Sequence, residues 1–298
     1  MSAFHGVVPA LSTPMTAEGR VNEEALRQVL EFNIQAGVHG FWVAGGTGES
    51  VLLEDEENKR IAEIAADQNK GRVKNIMHVG AATTKRAAQL AEHAAQVGVE
   101  AICCVPPFFY ARSDEEIVEH YRVVAAAADL PLFVYNLPNS TGVEITPELM
   151  QKIRDGVPQL AGLKHSSMNF NNVHVFARMG LACFTGSAAL LLPALTLGAV
   201  GCVDGPPNVA PERWIEIWEA YNDGDIKRAE AAQARAAEMF VLFSEFSYLA
   251  CIKALLSYRL GIDCGTILPP GLPLTDEQLE RLAQRAEELD LGRVSAEV

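Results

Sequence analysis

Lys164 closes a short apolar run, Leu160–Lys164, that begins after Gly156-Val157-Pro158 and ends before Ser166-Ser167. Lysine is among the residues least often buried without a partner. The run therefore either carries its amine out to water, the commoner fate of a lone lysine, or holds it for chemistry. Tyr135 closes a second run, Leu132–Tyr135, and the stretch AGGTGES, Ala44–Ser50, follows a third. Glycines in such a loop expose backbone N–H groups that can hold a carboxylate. Gly-Gly-Thr-Gly also occurs in ordinary turns, and a strand-end tyrosine often only reaches water. Together the three suggest one reaction type. A lysine held out of water is a nucleophile near neutral pH and condenses with ketones as a Schiff base. The iminium is an electron sink, so carbon–carbon cleavage, condensation or loss of a β-substituent needs no metal or other cofactor. A nearby phenol can pass protons.

These residues need elements to bring them together. Eight short apolar runs, Gly6–Leu11, Phe41–Ala44, Asn75–Val79, Ala101–Val105, Leu132–Tyr135, Leu160–Lys164, Ala182–Phe184 and Gly201–Val203, alternate with stretches of helical period. In one such stretch, Asn22–Ala36, Leu26, Val29, Leu30 and Ile34 share a face, with Asn22 and Gly37 suited to its ends. The joints QAGVHG, QVGVEA and TLGAVG repeat a helix end, a glycine and a strand entry. Strands alternating with helices require a parallel sheet. Eight units fit an α/β (β/α)8 TIM barrel, which typically takes ~250 residues. An open doubly wound sheet usually carries a glycine-rich dinucleotide turn after its first strand, and Pro9–Pro14 is nothing of the kind. Residues 1–224 are read as the barrel. Residues 225–298, rich in alanine, leucine and charge, are read as a helical region packed on it. In such a barrel function gathers at the carboxyl ends of the strands. Neighbouring strands lie ~4.8 Å apart, so Tyr135 and Lys164 can share a pocket if both point inward.

A formal charge of −14 argues against a nucleic-acid partner, gives no basic face for a membrane, and requires a locally prepared site for any anionic substrate. The six cysteines form no Cys-x-x-Cys pair, and four lie inside apolar runs, so neither a disulfide framework nor a metal site is expected. No basic segment leads into a long apolar one at the amino terminus. A cytoplasmic location is expected.

Over essentially its whole length the chain resembles the N-acetylneuraminate lyase and dihydrodipicolinate synthase family of class I aldolases. The resemblance is carried by GVVPALSTPMTAEGRVN, GGTGES, HVGA, VPPFFY, YNLPNSTGV, GLKHSS, TGSAALLLPALTLGAVG and PPGLPL, in order and at matching spacing. It implies that Lys164 forms a Schiff base with a 2-oxo acid and that Tyr135 is the proton-shuttling phenol. It also implies that Gly46 and Thr47 bind the substrate carboxylate, that the Val203 backbone lines the pocket, and that the chain forms a homotetramer built as a pair of dimers.

Departures from the pattern bear on the substrate. Ser140 stands where the synthases carry an arginine, and Ala188 and Ala189 stand where sialic acid lyases place an acidic pair. Both relay hydroxyls are missing, at Gly46 and Phe109, with Tyr110 one residue on as either a substitute or an interface contact. Ser166 matches a hydroxyl used by the retro-aldol members, or it caps a helix. Asp204 stands where relatives carry small residues; it either accepts hydrogen bonds from a donor-bearing substrate tail or caps the local turn. His165 is expected to point away from Lys164. The expected reaction is reversible cleavage of a short 4-hydroxy-2-oxo acid into pyruvate and an aldehyde. A dehydratase or deaminase acting through the same Schiff base is the alternative. Behind these stand dihydrodipicolinate synthase proper and a non-catalytic 2-oxo acid sensor.

Overall fold

A computed structural model describes residues 3–294. The first two residues of the expected barrel and the last four of the expected helical region lie outside them. Eight strands, β1 (Gly6–Pro9), β2 (Gly40–Val43), β3 (Lys74–His78), β4 (Ala101–Cys104), β5 (Leu132–Asn136), β6 (Leu160–His165), β7 (Ala182–Thr185) and β8 (Gly201–Asp204), alternate with helices. They form one parallel sheet in the order β1-β8-β7-β6-β5-β4-β3-β2. The two ends of the sheet meet. Ala10 bridges to Trp42, Leu11 N–H donates to Trp42 O at 2.9 Å and His39 N–H donates to Val7 O at 2.9 Å. The expected (β/α)8 barrel is present, nearly closed.

Alternation along each strand sorts the core into two layers. Val8, Trp42, Ile76, Cys103, Phe133, Tyr135, Phe184 and Val203 fill the barrel interior. Val7, Phe41, Val43, Met77, Ile102, Cys104, Val134, Leu163 and Cys202 face the helices. Both faces are apolar, which is why these strands read as continuous runs without alternation.

The strand ends depart by a residue or two from the runs read in sequence. At β1 the ladder ends at Pro9, because Ala10 still donates to Asp204 O of β8 whereas Leu11 has already turned to Trp42 O of β2. Strands β5 to β8 each run one residue further than their apolar stretch, onto Asn136, His165, Thr185 and Asp204. These polar ends are covered and hydrogen-bonded. Asn136 Nδ2 donates to Ile145 O at 3.2 Å and lies 3.2 Å from His165 Nδ1, and His165 Nε2 lies 3.0 Å from Asn169 O.

The first helix, Glu23–Gln35, starts as its sequence dictates: Asn22 Oδ1 accepts Ala25 N–H at 3.2 Å, and Gly37 ends it at φ +93°. After β8 come the helices Pro211–Asn222, Ile226–Ser244, Tyr248–Leu260 and Asp276–Glu288, with no strand between them. Their buried residues, Ala232, Met239, Leu255 and Leu256 among them, join the strand–helix layer. Among the described residues no single helix is long and apolar enough to cross a membrane.

Candidate active site

Tyr135 and Lys164 are direct cross-strand partners between β5 and β6, and Lys164 pairs in turn with Phe184 of β7. Gly162, two residues before the lysine on the same face, leaves room for the layer beneath. A Cβ there would fall 2.2 Å from Ala182 O and 2.7 Å from Phe133 Cε1. Above that layer Lys164 is 4% and Tyr135 5% exposed. Lys164 Nζ stands 4.4 Å from the Tyr135 ring centroid and 5.6 Å from that of Trp42. The described residues offer Nζ neither a hydrogen bond nor a carboxylate within ion-pair distance. The amine is thus walled by two aromatic faces and left without a protein partner.

The AGGTGES segment forms the turn after β2. Glu49 N–H closes it on Gly46 O at 3.1 Å, and Thr13 Oγ1 holds Gly48 O at 3.0 Å. A Cβ on Gly46 would stand 3.9 Å from the Tyr135 hydroxyl, so the missing side chain leaves open space directly opposite the phenol. Thr47 is nearly buried beside it. Val203 points into the barrel from β8, paired with Val8 of β1. A cavity of about 170 Å³ opens at this end of the barrel, lined by Gly46, Tyr135, Ser140, Val105, Phe108 and Leu137. The described lining carries no lysine or arginine.

Asp204 is engaged by three donors of its own chain. Its Oδ2 accepts Ala188 N–H at 2.8 Å, and its Oδ1 accepts Gly205 N–H at 2.8 Å and the Tyr248 hydroxyl at 2.9 Å. Burial raises the pKa of this carboxyl, against the opposing pull of those donors. The carboxylate serves its own turn and ties it to the helix Tyr248–Leu260, the turn-capping role set against a substrate tail in the sequence. Tyr110 is not brought to the lysine within this chain. It is 65% exposed, beside Phe109, which is 85% exposed at φ +80°, and Arg112 covers its ring at 5.8 Å. Ser166 Oγ is buried without a partner against Gly186, where a Cβ would fall 1.8 Å from it. His165 turns to the outer layer, edge-on to Phe176 at 5.4 Å.

Three features escape sequence reading. Glu49, in the glycine turn at φ 59°, is fully buried with Lys253 of the helix Tyr248–Leu260, Nζ to Oε1 2.6 Å, each side chain 1% exposed. Glu49 Oε2 also accepts Leu268 N–H at 2.7 Å, and Lys253 Nζ donates to Thr266 O at 2.8 Å. The C-terminal helices thus clamp the turn. Trp42 sits under the site, edge-on to Tyr135 at 5.8 Å. His78 lies 3.3 Å from Ser50 Oγ and 6.1 Å, ring to ring, from Tyr135, and burial pushes its pKa down to about 4. The one available signal was a lysine inside the apolar helix stretch YLACIKALLSYRL. Among the described residues no cluster of His, Cys, Asp or Glu could hold a metal ion, and all six cysteines are buried thiols.

The model of the dihydrodipicolinate synthetase family matches residues 3–289. The chain is 37% identical to an uncharacterized DapA-like lyase of Halobacterium salinarum, covering 97% of this chain and 94% of the relative. It is 33% identical to a 4-hydroxy-tetrahydrodipicolinate synthase of Methanothrix thermoacetophila (94% and 95% covered), and 32% identical to N-acetylneuraminate lyase 2 of Escherichia coli (96% and 94% covered). Among solved structures it superposes on YagE, a prophage protein of E. coli K12 in complex with pyruvate, at a TM-score of 0.92 with 25% identity (97% and 99% covered). It superposes on the wild-type sialic acid aldolase of Ruminococcus gnavus at 0.93 with 27% identity (97% and 98% covered).

Proposed function

We propose that this chain, which belongs to the dihydrodipicolinate synthetase family and is a carbon–carbon lyase, is a Schiff-base aldolase cleaving a short 4-hydroxy-2-oxo acid into pyruvate and an aldehyde. The observation that carries the reading is the buried, unpartnered Lys164 amine in register with Tyr135. The pyruvate bound in the similar YagE structure supports pyruvate as the keto component. Lys164 Nζ attacks C2 of the oxo acid, water departs and an iminium remains. The C3–C4 bond then breaks with its electron pair drawn into the iminium. Tyr135 takes the C4 hydroxyl proton, the aldehyde leaves, and the enamine is reprotonated at C3. Water returns to C2 and releases pyruvate. Gly46 and Thr47 hold the carboxylate, and Ser166 Oγ, which has no partner of its own, serves the C4 oxygen.

A second reading keeps the same iminium but expels water or ammonia from C4 after loss of a C3 proton. It is favoured by the open space opposite the Tyr135 hydroxyl, where Gly46 supplies no relay hydroxyl. Dihydrodipicolinate synthesis is disfavoured, since Ser140 lines the cavity and no cation does. Exposed Val51, Leu52, Phe109 and Tyr110 beside the mouth support association into the tetramer, a pair of dimers. A panel of 4-hydroxy- and 4-amino-2-oxo acids, assayed for pyruvate and separately for ammonia, tests the reaction. The aldolase reading expects pyruvate and aldehyde in equal amounts. Ammonia, or a dehydrated oxo acid with no pyruvate, would establish the second reading in its place.

A further inference from the structure

Tyr135 has to exchange protons from a nearly sealed position. It is 5% exposed, and Gly46, which faces its hydroxyl, has no side chain to bring a second one within reach. Both line the cavity of about 170 Å³, and three other hydroxyl-bearing residues line it with them: Ser50, Ser140 and Thr141. They differ in what holds them. Thr141 Oγ1 is committed, donating to Leu137 O at 3.0 Å and accepting Val143 N–H at 3.2 Å. Ser140 is exposed. Ser50 is 7% exposed; its carbonyl accepts Asn58 Nδ2 at 2.9 Å and its Oγ lies 3.3 Å from His78 Nδ1. His78 lines the same cavity, its ring 6.1 Å from that of Tyr135. Burial holds its pKa at about 4, so the imidazole is neutral near pH 7, with one nitrogen to donate and one to accept. A Cβ on Gly80 would lie 2.7 Å from His78 Nε2, so that nitrogen is closed in against the chain and the ring's polar reach is towards Ser50. Ser50 is thus a fixed hydroxyl, aimed by a ring that does not change charge. A water takes about 30 Å³ of liquid volume and about 2–4 polar partners; the cavity has that room, with the phenol and Ser50 on its walls.

We propose that Ser50, oriented by His78, holds a solvent water against the Tyr135 hydroxyl, and that this water is the phenol's route for protons in place of a side chain at Gly46. Ser50 and His78 are positioning residues: they act on the reaction through the water and the phenol. With pyruvate alone the step is an exchange at C3. Lys164 forms the iminium, and a methyl C–H bond breaks towards the phenol oxygen while its electron pair moves into the iminium. The phenol's own proton passes to the water and on to solvent. The reverse path returns a solvent proton to C3. Transfer through one water asks only for hydrogen-bond reach at each leg. The inference rests on the Schiff-base reading and adds how its phenol is reset.

The test is the rate at which the pyruvate methyl gains deuterium in heavy water, compared with the pyruvate half-saturation for borohydride trapping at Lys164. Ser50→Ala should slow exchange about tenfold or more and leave trapping within about twofold, because a proton path is lost and ketone binding is not. His78→Phe, which keeps a ring and removes the nitrogen facing Ser50, should slow exchange in the same way, and Ser140→Ala should leave it at the wild-type rate. A Cβ on Gly46 would stand 3.9 Å from the phenol oxygen, and its φ lies outside the left-handed region. Gly46→Ser can therefore place a hydroxyl opposite the phenol, and in the Ser50→Ala background it should restore most of the exchange. Exchange untouched in Ser50→Ala or His78→Phe, exchange and trapping lost together, loss in Ser140→Ala, or no recovery with Gly46→Ser would each overturn the assignment. Absence of any adduct in the wild-type protein would instead overturn the Schiff-base reading, and this inference with it.

Discussion

Among the described residues two lysines are buried, and they are treated in opposite ways. Lys253, on a helix outside the strands, meets a carboxylate at 2.6 Å and a carbonyl at 2.8 Å. Burial lowers its pKa and the Glu49 contact opposes that shift. Lys164, at the end of β6, meets two aromatic faces and no hydrogen-bond partner among the described residues. One amine is fastened and the other is kept available. The same degree of burial thus marks two roles, and the partner, more than the exposure, tells them apart. The two are also joined. Lys253 fixes Glu49, Glu49 belongs to the glycine turn, and that turn lines through Gly46 the cavity that Tyr135 also lines.

The same substitution at both sites should separate them most sharply. Lys164→Met is expected to lower turnover by about 10⁴-fold or more, as loss of a covalent nucleophile does. Because it removes a largely buried amine that has no protein partner among the described residues, the thermal midpoint should hold or rise. Lys253→Met should do the reverse. Glu49 would be left buried without its partner, at a cost of about 3–5 kcal/mol, seen in denaturant unfolding, while ketone trapping at Lys164 persists in the protein that remains folded. Glu49→Gln combined with Lys253→Met should recover part of that loss. If the two Lys→Met variants are destabilised alike, the contrast between the amines fails.

Tyr135→Phe comes next. Removing a proton-transfer group should slow turnover about 10²-fold or more and leave trapping by a good ketone nearly intact. Equal loss of both would make the phenol a binding group. The smallest effect is expected at Asp204. Asp204→Asn keeps acceptors for some of its three donors, so roughly 1–2 kcal/mol of stability is lost, and relative rates on diacid and neutral substrates should stay within about twofold. A marked gain on diacids would return Asp204 to the substrate pocket.

The barrel was legible because parallel strands buried on both faces write themselves as short apolar runs, and because each helix-to-strand joint repeats a glycine. Lys164 and Tyr135 were legible as polar residues ending such runs, with a register that an even strand spacing makes natural. What escaped depends on contacts distant in sequence. Nothing near Glu49 announces Lys253 or Leu268, and nothing near Asp204 announces Tyr248 as its donor. The side chain of Asp204 was equally compatible with a turn and with a pocket until those donors were placed. Trp42 sits in a four-residue strand with apolar neighbours on both faces, so the sequence pattern could not say which way its indole points.

The central claim is that the available amine, and not the fastened one, is the nucleophile. Borohydride reduction in the presence of pyruvate, followed by intact-mass and peptide analysis, tests it most directly. The account predicts one reduced adduct per chain, located on Lys164, retained in Lys253→Met and lost in Lys164→Met. An adduct on Lys253 or elsewhere, an adduct that survives in Lys164→Met, or none at all in the wild-type protein would contradict it.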